Sequence, residues 1–169
     1  MLLPDEYNSY FKTYIDDLVT NGKSIIQNLI ETGNHLEQFV ATIPEEKELY
    51  VYAEGKWTFR EILAHVIDTE RIFNYRALRF ARNDSTELHS FDHNFYNKNA
   101  SANSKELQEL LDEFKTVRAS SISLYKSFSD QVLLRKGSAS ENIISVRAIG
   151  YLISGHQEHH LKIFKERYF

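Results

Sequence analysis

Apolar residues recur along most of this chain at the three-to-four-residue spacing of amphipathic helices rather than the alternation of strands. Those stripes predict a short helix over 3–19, relaxed near Asn21-Gly22. A first long helix follows over 24–43 and ends before Pro44, which cannot easily continue one. In the stretch 50–57, Glu54-Gly55-Lys56 reads as a turn. Thr58 is a good N-cap and Glu61, three residues on, completes a capping box, so a second long helix runs from Phe59 to near Arg82. The segment 83–102 is polar and irregular, with Phe91, Phe95 and Tyr96 as its expected anchors onto the rest. Ser104 opens a third long helix that ends near Phe128, and 142–168 makes the fourth.

Four long amphipathic helices call for an all-α four-helix bundle, a single domain over the 169 residues. The segment after the second helix is long for a hairpin connection and suits a crossover or a lid. The 6 glycines and 2 prolines favour long uninterrupted helices. At 42% hydrophobic and 26% charged residues the composition is that of an ordinary globular protein. A net charge of -4 gives no footprint for nucleic acid. No cysteine is present, which excludes disulfides, iron–sulfur clusters, thiolate zinc sites and a cysteine nucleophile. The N-terminus turns acidic at Asp5-Glu6 and no apolar run approaches membrane-spanning length, so the expected compartment is the cytoplasm.

The chemistry lies in the histidines. On a helical wheel, Ile149, Leu152, Ile153, Ile163 and Phe164 form one apolar stripe of the fourth helix, with His156 and His160 inside it. Arg147, Ser154, Glu158 and Lys165 point the other way. Two imidazoles four residues apart reach one ion, and burying them without a partner is costly. A metal resolves that cost; hydrogen-bonded core histidines are the bland alternative. The second helix carries Phe59, Ile62, Leu63, Val66, Phe73 and Ala77 on its apolar face, with His65 at the edge. His65 would complete three nitrogens and leave coordination positions open.

The other histidines have weaker claims. His35 and His89 read as surface residues, His93 as a loop residue able to approach the open side, and His159 as a flanking group. Glu70 falls in the middle of an apolar stripe, where a buried arginine such as Arg118 or Arg147 would pair with it. No Glu-x-x-His occurs, and in His156-Gln157-Glu158-His159-His160 the glutamate is one place too late for a His-Glu-x-x-His protease helix.

Tyr52-Ala53-Glu54-Gly55-Lys56-Trp57-Thr58, Glu61 to Arg71 around His65, and Gly155-His156-Gln157-Glu158-His159-His160 together resemble the DinB/YfiT-like superfamily of metal-binding four-helix bundles. That resemblance implies an up-down-down-up bundle whose metal triad falls on His65, His156 and His160. It also implies zinc or nickel as the metal and a homodimer, whose interface Ile67, Tyr75 and Leu78 would fit. Relatives transfer low-molecular-weight thiols or are labelled hydrolases. The expected function is thus a metal-dependent enzyme, thiol S-transferase or hydrolase, acting on a small molecule. Asp68 and Glu70 are the nearby carboxylates to consider as bases. A non-catalytic, metal-stabilised stress-response or ligand-binding bundle is the alternative.

Overall fold

The structure is a computed structural model that describes residues 2–3 and 5–169. Met1 and Pro4, within the N-terminal stretch and the start of the first expected helix, lie outside the described residues. In chain order the elements are α1 (Lys12–Thr20), α2 (Ile25–Val40), α3 (Glu45–Glu48), α4 (Phe59–Ala81), α5 (His93–Asn99), α6 (Leu107–Lys126) and α7 (Asp130–Leu133). A hairpin of β1 (Lys136–Ala139) and β2 (Asn142–Ser145) then leads into α8 (Val146–Tyr168).

Local chemistry sets the helix starts. Ser24 caps α2 with Gln27 closing a capping box, and Thr58 caps α4 with the expected Glu61. Asn83 takes a left-handed conformation just past α4, a common way to stop a helix. The third helix starts three residues later than expected, because Glu106 and Glu109 form its capping box while Ser104 closes a 3-10 turn.

Side-chain pairings give the helix directions. Phe39 meets Phe164 while Ile25 lies on Gly150, so α2 and α8 run parallel. Arg60 reaches Lys105 O while Asn74 reaches Ser121 Oγ, so α4 and α6 are parallel too. Phe59 packs on Phe164 and Phe73 on His156, which makes α4 and α8 antiparallel. Arg118 reaches Leu29 O while Lys115 reaches Glu37, so α2 and α6 are also antiparallel. The bundle is therefore up-down-down-up, with ring order α2, α8, α4, α6. Parallel α4 and α6 oblige the chain to return the length of the bundle between them, and α5 lies on that return path.

The apolar core falls into two clusters, one around Ile15, Phe80 and Ile149, the other around Leu36, Phe114 and Phe164. A polar belt joins the four helices inside the bundle. Arg118 Nε and Nη2 grip the two oxygens of Glu70 at 2.9 Å each. Nη1 donates to Leu29 O at 2.8 Å and Thr32 Oγ1 at 3.0 Å, and Nη2 also to Gln157 Oε1 at 2.8 Å. All five guanidinium protons are thereby matched to acceptors. Ser121 Oγ adds a hydrogen bond to Glu70 Oε1 at 2.5 Å. The carboxylate in the apolar stripe is thus a structural ion pair with Arg118; Arg147 pairs instead with Glu6.

Several expectations need correction. Only Lys12–Thr20 of the first expected segment is α-helical; Tyr7 bridges to Ile144 in extended form. The fourth helix begins at Val146, because Asn142–Ser145 pairs with β1. Ile143 is exposed and Ile144 buried, the alternation of a strand. Ser154 does not face solvent: α1 covers that side of α8, and Gly155 is where they cross. A Cβ there would lie 1.6 Å from Tyr14 O. Phe95 and Tyr96 are exposed, and Leu88, Asn97 and Ala102 anchor the crossover instead. Ile67 is 1% exposed and packs in the core, so it cannot serve a dimer interface, whereas Tyr75 and Leu78 are exposed.

Glu70→Ala would leave the Arg118 charge buried without its counter-ion. It should cost about 3–5 kcal/mol in urea unfolding; a loss below about 1 kcal/mol would show that the belt is not what holds the helices.

Candidate metal centre

His65 sits about two turns into α4, and His156 and His160 lie one turn apart on the antiparallel α8 facing it. His65 Nε2 is 3.2 Å from His156 Nε2, and His160 Nε2 is 3.2 Å from the same atom. All three nitrogens lie within 4.8 Å of one another. Tetrahedral zinc with Zn–N bonds of 2.0–2.1 Å separates its ligand atoms by roughly 3.3 Å, so the spacing fits. The donor chemistry fits as well. His156 Nε2 holds either one proton or one lone pair, and cannot bond well to two neighbouring nitrogens at once. A cation accepts all three lone pairs and removes that conflict.

Burial keeps these rings neutral, the form that ligates a metal. Desolvation, then the neighbouring His93, lowers His65 to about 4. Desolvation, then the other histidines, lowers His160 to about 3 and His156 far below its ordinary value. His65 and His156 are each 9% exposed.

The three imidazoles line a cavity of about 440 Å³, within the range of small-molecule sites. Around the trio stand the rings of Trp57 (4.9 Å from His65), Phe73 (5.8 Å from His156) and Tyr14 (5.9 Å from His156). The Asn97 amide, with its oxygen accepting from Trp57 Nε1 at 3.1 Å and its nitrogen donating to Glu61 O at 3.3 Å, ties the crossover to this wall. The far wall includes Ser140 and Asn142 of the hairpin turn and Arg76 of α4. Ser140 and Glu141 both adopt left-handed conformations, as a two-residue type I′ turn requires. Gly137 admits the hairpin over α4, since a Cβ there would lie 2.0 Å from the Phe80 ring.

The remaining sequence candidates separate clearly. His93 lines the cavity, its ring 6.0 Å from that of His65. His159 packs edge-on to Tyr14 at 4.9 Å, outside the trio. His35 bonds to Glu158 at 2.9 Å, remote from the cavity, and His89 is exposed. Asp68 leans toward Arg71 at 3.5 Å, with burial raising its carboxyl, and neither it nor Glu70 lines the cavity. Sequence reasoning missed Thr69, Arg76, Tyr14 and the hairpin turn. For Thr69 and Arg76 a signal existed, because both continue the stripe of His65 at helical spacing.

The up-down-down-up bundle with three convergent imidazoles on antiparallel helices presents a donor set suited to a divalent metal beside a cavity. The chain belongs to the DinB superfamily, whose family model matches residues 28–164. Its fold is also that of YfiT from Bacillus subtilis, described as "a probable metal-dependent hydrolase with an unusual four-helix bundle topology". That likeness has a TM-score of 0.75 at 20% identity, over 84% of this chain and 82% of the other. No curated protein sequence matches the chain. Among the described residues, no helix is long and apolar enough to cross a membrane.

The depressed histidines set a pH dependence for the metal-free protein. Their folded values lie below the 6.5 of the free side chain, so the unfolded chain binds more protons as pH falls. That stability is complete above pH 6.5 and erodes as acid is added, toward 4 for His65 and 3 for His160. Urea midpoints of the chelated protein should fall between about pH 7 and 5, more steeply than in His65→Ala. Equal slopes would remove this account.

Proposed function

We propose that this chain is a metal-dependent hydrolytic enzyme using a divalent transition metal, zinc or nickel, on His65, His156 and His160. The carrying observation is openness: the three nitrogens face a cavity, and no fourth protein ligand joins their cluster among the described residues. Structural zinc sites are closed by four protein ligands, whereas catalytic sites keep a position free. An ion held there would supply Lewis acidity and a nucleophile acidified toward neutral pH. The fold likeness to a chain described as a metal-dependent hydrolase supports the same reading.

The chain's own residues do the rest. Trp57, Phe73 and Tyr14 surround the trio with aromatic rings, which give a bound substrate an apolar wall beside the metal ligands. No carboxylate lines the cavity among the described residues, so Asp68 and Glu70 are not the base. His93 is the histidine outside the trio that does line it, and its imidazole is placed to take or return a proton at the substrate. Transfer of a thiol would use the same centre, with the sulfur brought by a co-substrate because the chain has no cysteine.

Elemental analysis of the tag-free protein should find about one divalent transition metal per chain, lost in His65→Ala, His156→Ala and His160→Ala. Wild type incubated with zinc and nickel yet metal-free would sink the proposal. With metal bound, a panel of esters, amides and thiol acceptors separates hydrolysis from thiol transfer. His93→Ala should keep the metal and lose roughly 10²–10⁴ of the rate. Full occupancy with no turnover of any substrate would mark a non-catalytic, metal-stabilised binding protein.

A further inference from the structure

Arg118 and Arg76 are the buried arginines among the described residues, and they are treated oppositely. Arg118 has a carboxylate and a full set of acceptors. Arg76, 8% exposed, uses Nη2 alone, toward His89 O at 2.9 Å and Ser140 Oγ at 3.2 Å. Its Nε and Nη1 have no partner, and no carboxylate pairs with it, among the described residues. Glu87 is the acid whose charge reaches it, from beyond ion-pair distance, and that carboxylate accepts instead from the Glu141 amide at 3.1 Å. A cation largely withdrawn from water with no carboxylate in contact favours an anion that can reach it. This one lines the cavity that holds the histidine centre, so solution can supply the missing anion.

The layout of the cavity points to the same occupant. Thr69, 3% exposed, belongs to the same wall, with its hydroxyl oxygen out of reach of solvent. His65, Thr69, Phe73 and Arg76 follow one another on one face of α4. From His65 to Arg76 the helix rises roughly 16 Å, shortened by the lean of the arginine toward the helix N-terminus. Phe73 stands between the two ends on α4, and Phe11, Phe91 and Leu152 add apolar wall to the same cavity. The cavity therefore has a cationic end, an apolar middle and a histidine end.

We propose that this cavity binds an elongated organic anion, its carboxylate or phosphate head on Arg76 and its apolar body lying along Phe73 toward the histidines. This deepens the metal-enzyme reading, since the reacting bond would then lie at the ligand's far end; binding of the head itself needs no metal. It assigns Arg76 to substrate selection.

Titration calorimetry at low ionic strength with hexanoate, hexyl phosphate and neutral hexanamide tests it, on chelated and on zinc-treated protein. At least one anion should bind about tenfold more tightly than the amide, and the better of the two identifies the head. The preference should vanish in Arg76→Gln and persist in part in Arg76→Lys, which keeps the cation and so separates lost charge from lost fold. Equal affinity for all three probes, no measurable binding, or an anion preference surviving in Arg76→Gln would overturn the proposal. The chelated arm keeps the two readings apart: a preference seen there, in a protein that never takes up zinc, would sustain the anion site while the metal reading failed.

Discussion

The buried Arg118–Glu70 pair is the interaction on which the rest of the structure depends. One guanidinium touches α2, α4 and α8 from its place on α6, so a single planar group sets the relative height of four helices. Its contacts are spaced around the histidines: Glu70 is five residues past His65, and Gln157 is next to His156. Sliding α8 by one residue would break the Gln157 bond and turn His156 off the face it shares with His65. Apolar packing tolerates such slips more readily than a fully satisfied polar network does. The belt thus stabilises little beyond what an apolar core could, while specifying the register that brings three imidazoles together.

Around that fixed register, the walls of the cavity come from parts of the chain with other origins. α1 crosses α8 at Gly155 and brings Tyr14 against His156 and His159. The hairpin is tied to the N-terminal segment through Tyr7 and to the crossover through Leu88, and its turn supplies Ser140 and Asn142. These attachments close the bundle on the histidine side and hold apolar surface against rings that must stay neutral.

Much of this was legible in the sequence because helical periodicity and caps are local signals. Thr58 with Glu61 marked the start of α4, and the i,i+4 spacing of His156 and His160 inside an apolar stripe marked the site. Glu70 was readable as a paired carboxylate, since an unpaired charge in an apolar stripe is unfavourable. What failed was long-range. Ser140-Glu141 lacks the Asn-Gly signature of its turn, so β2 was absorbed into the helix that follows it and β1 was not read as a strand. Ser154 read as a surface residue because an amphipathic α1 does not announce which helix it will cover. Phe95 and Tyr96 looked like anchors by type, yet short helix α5 turns them outward and leaves Asn97 to make the buried contact.

The covering of α8 by α1 has one more consequence. The family match spans residues 28–164 and includes all three histidines, whereas Tyr10, Phe11 and Tyr14 precede it. The centre and part of its surroundings are therefore encoded on separate stretches of chain. Changes in the leading stretch can reshape what enters the pocket without touching the atoms that would do the chemistry. In a scaffold divided in this way the lining of the pocket can vary while the three histidines keep their places.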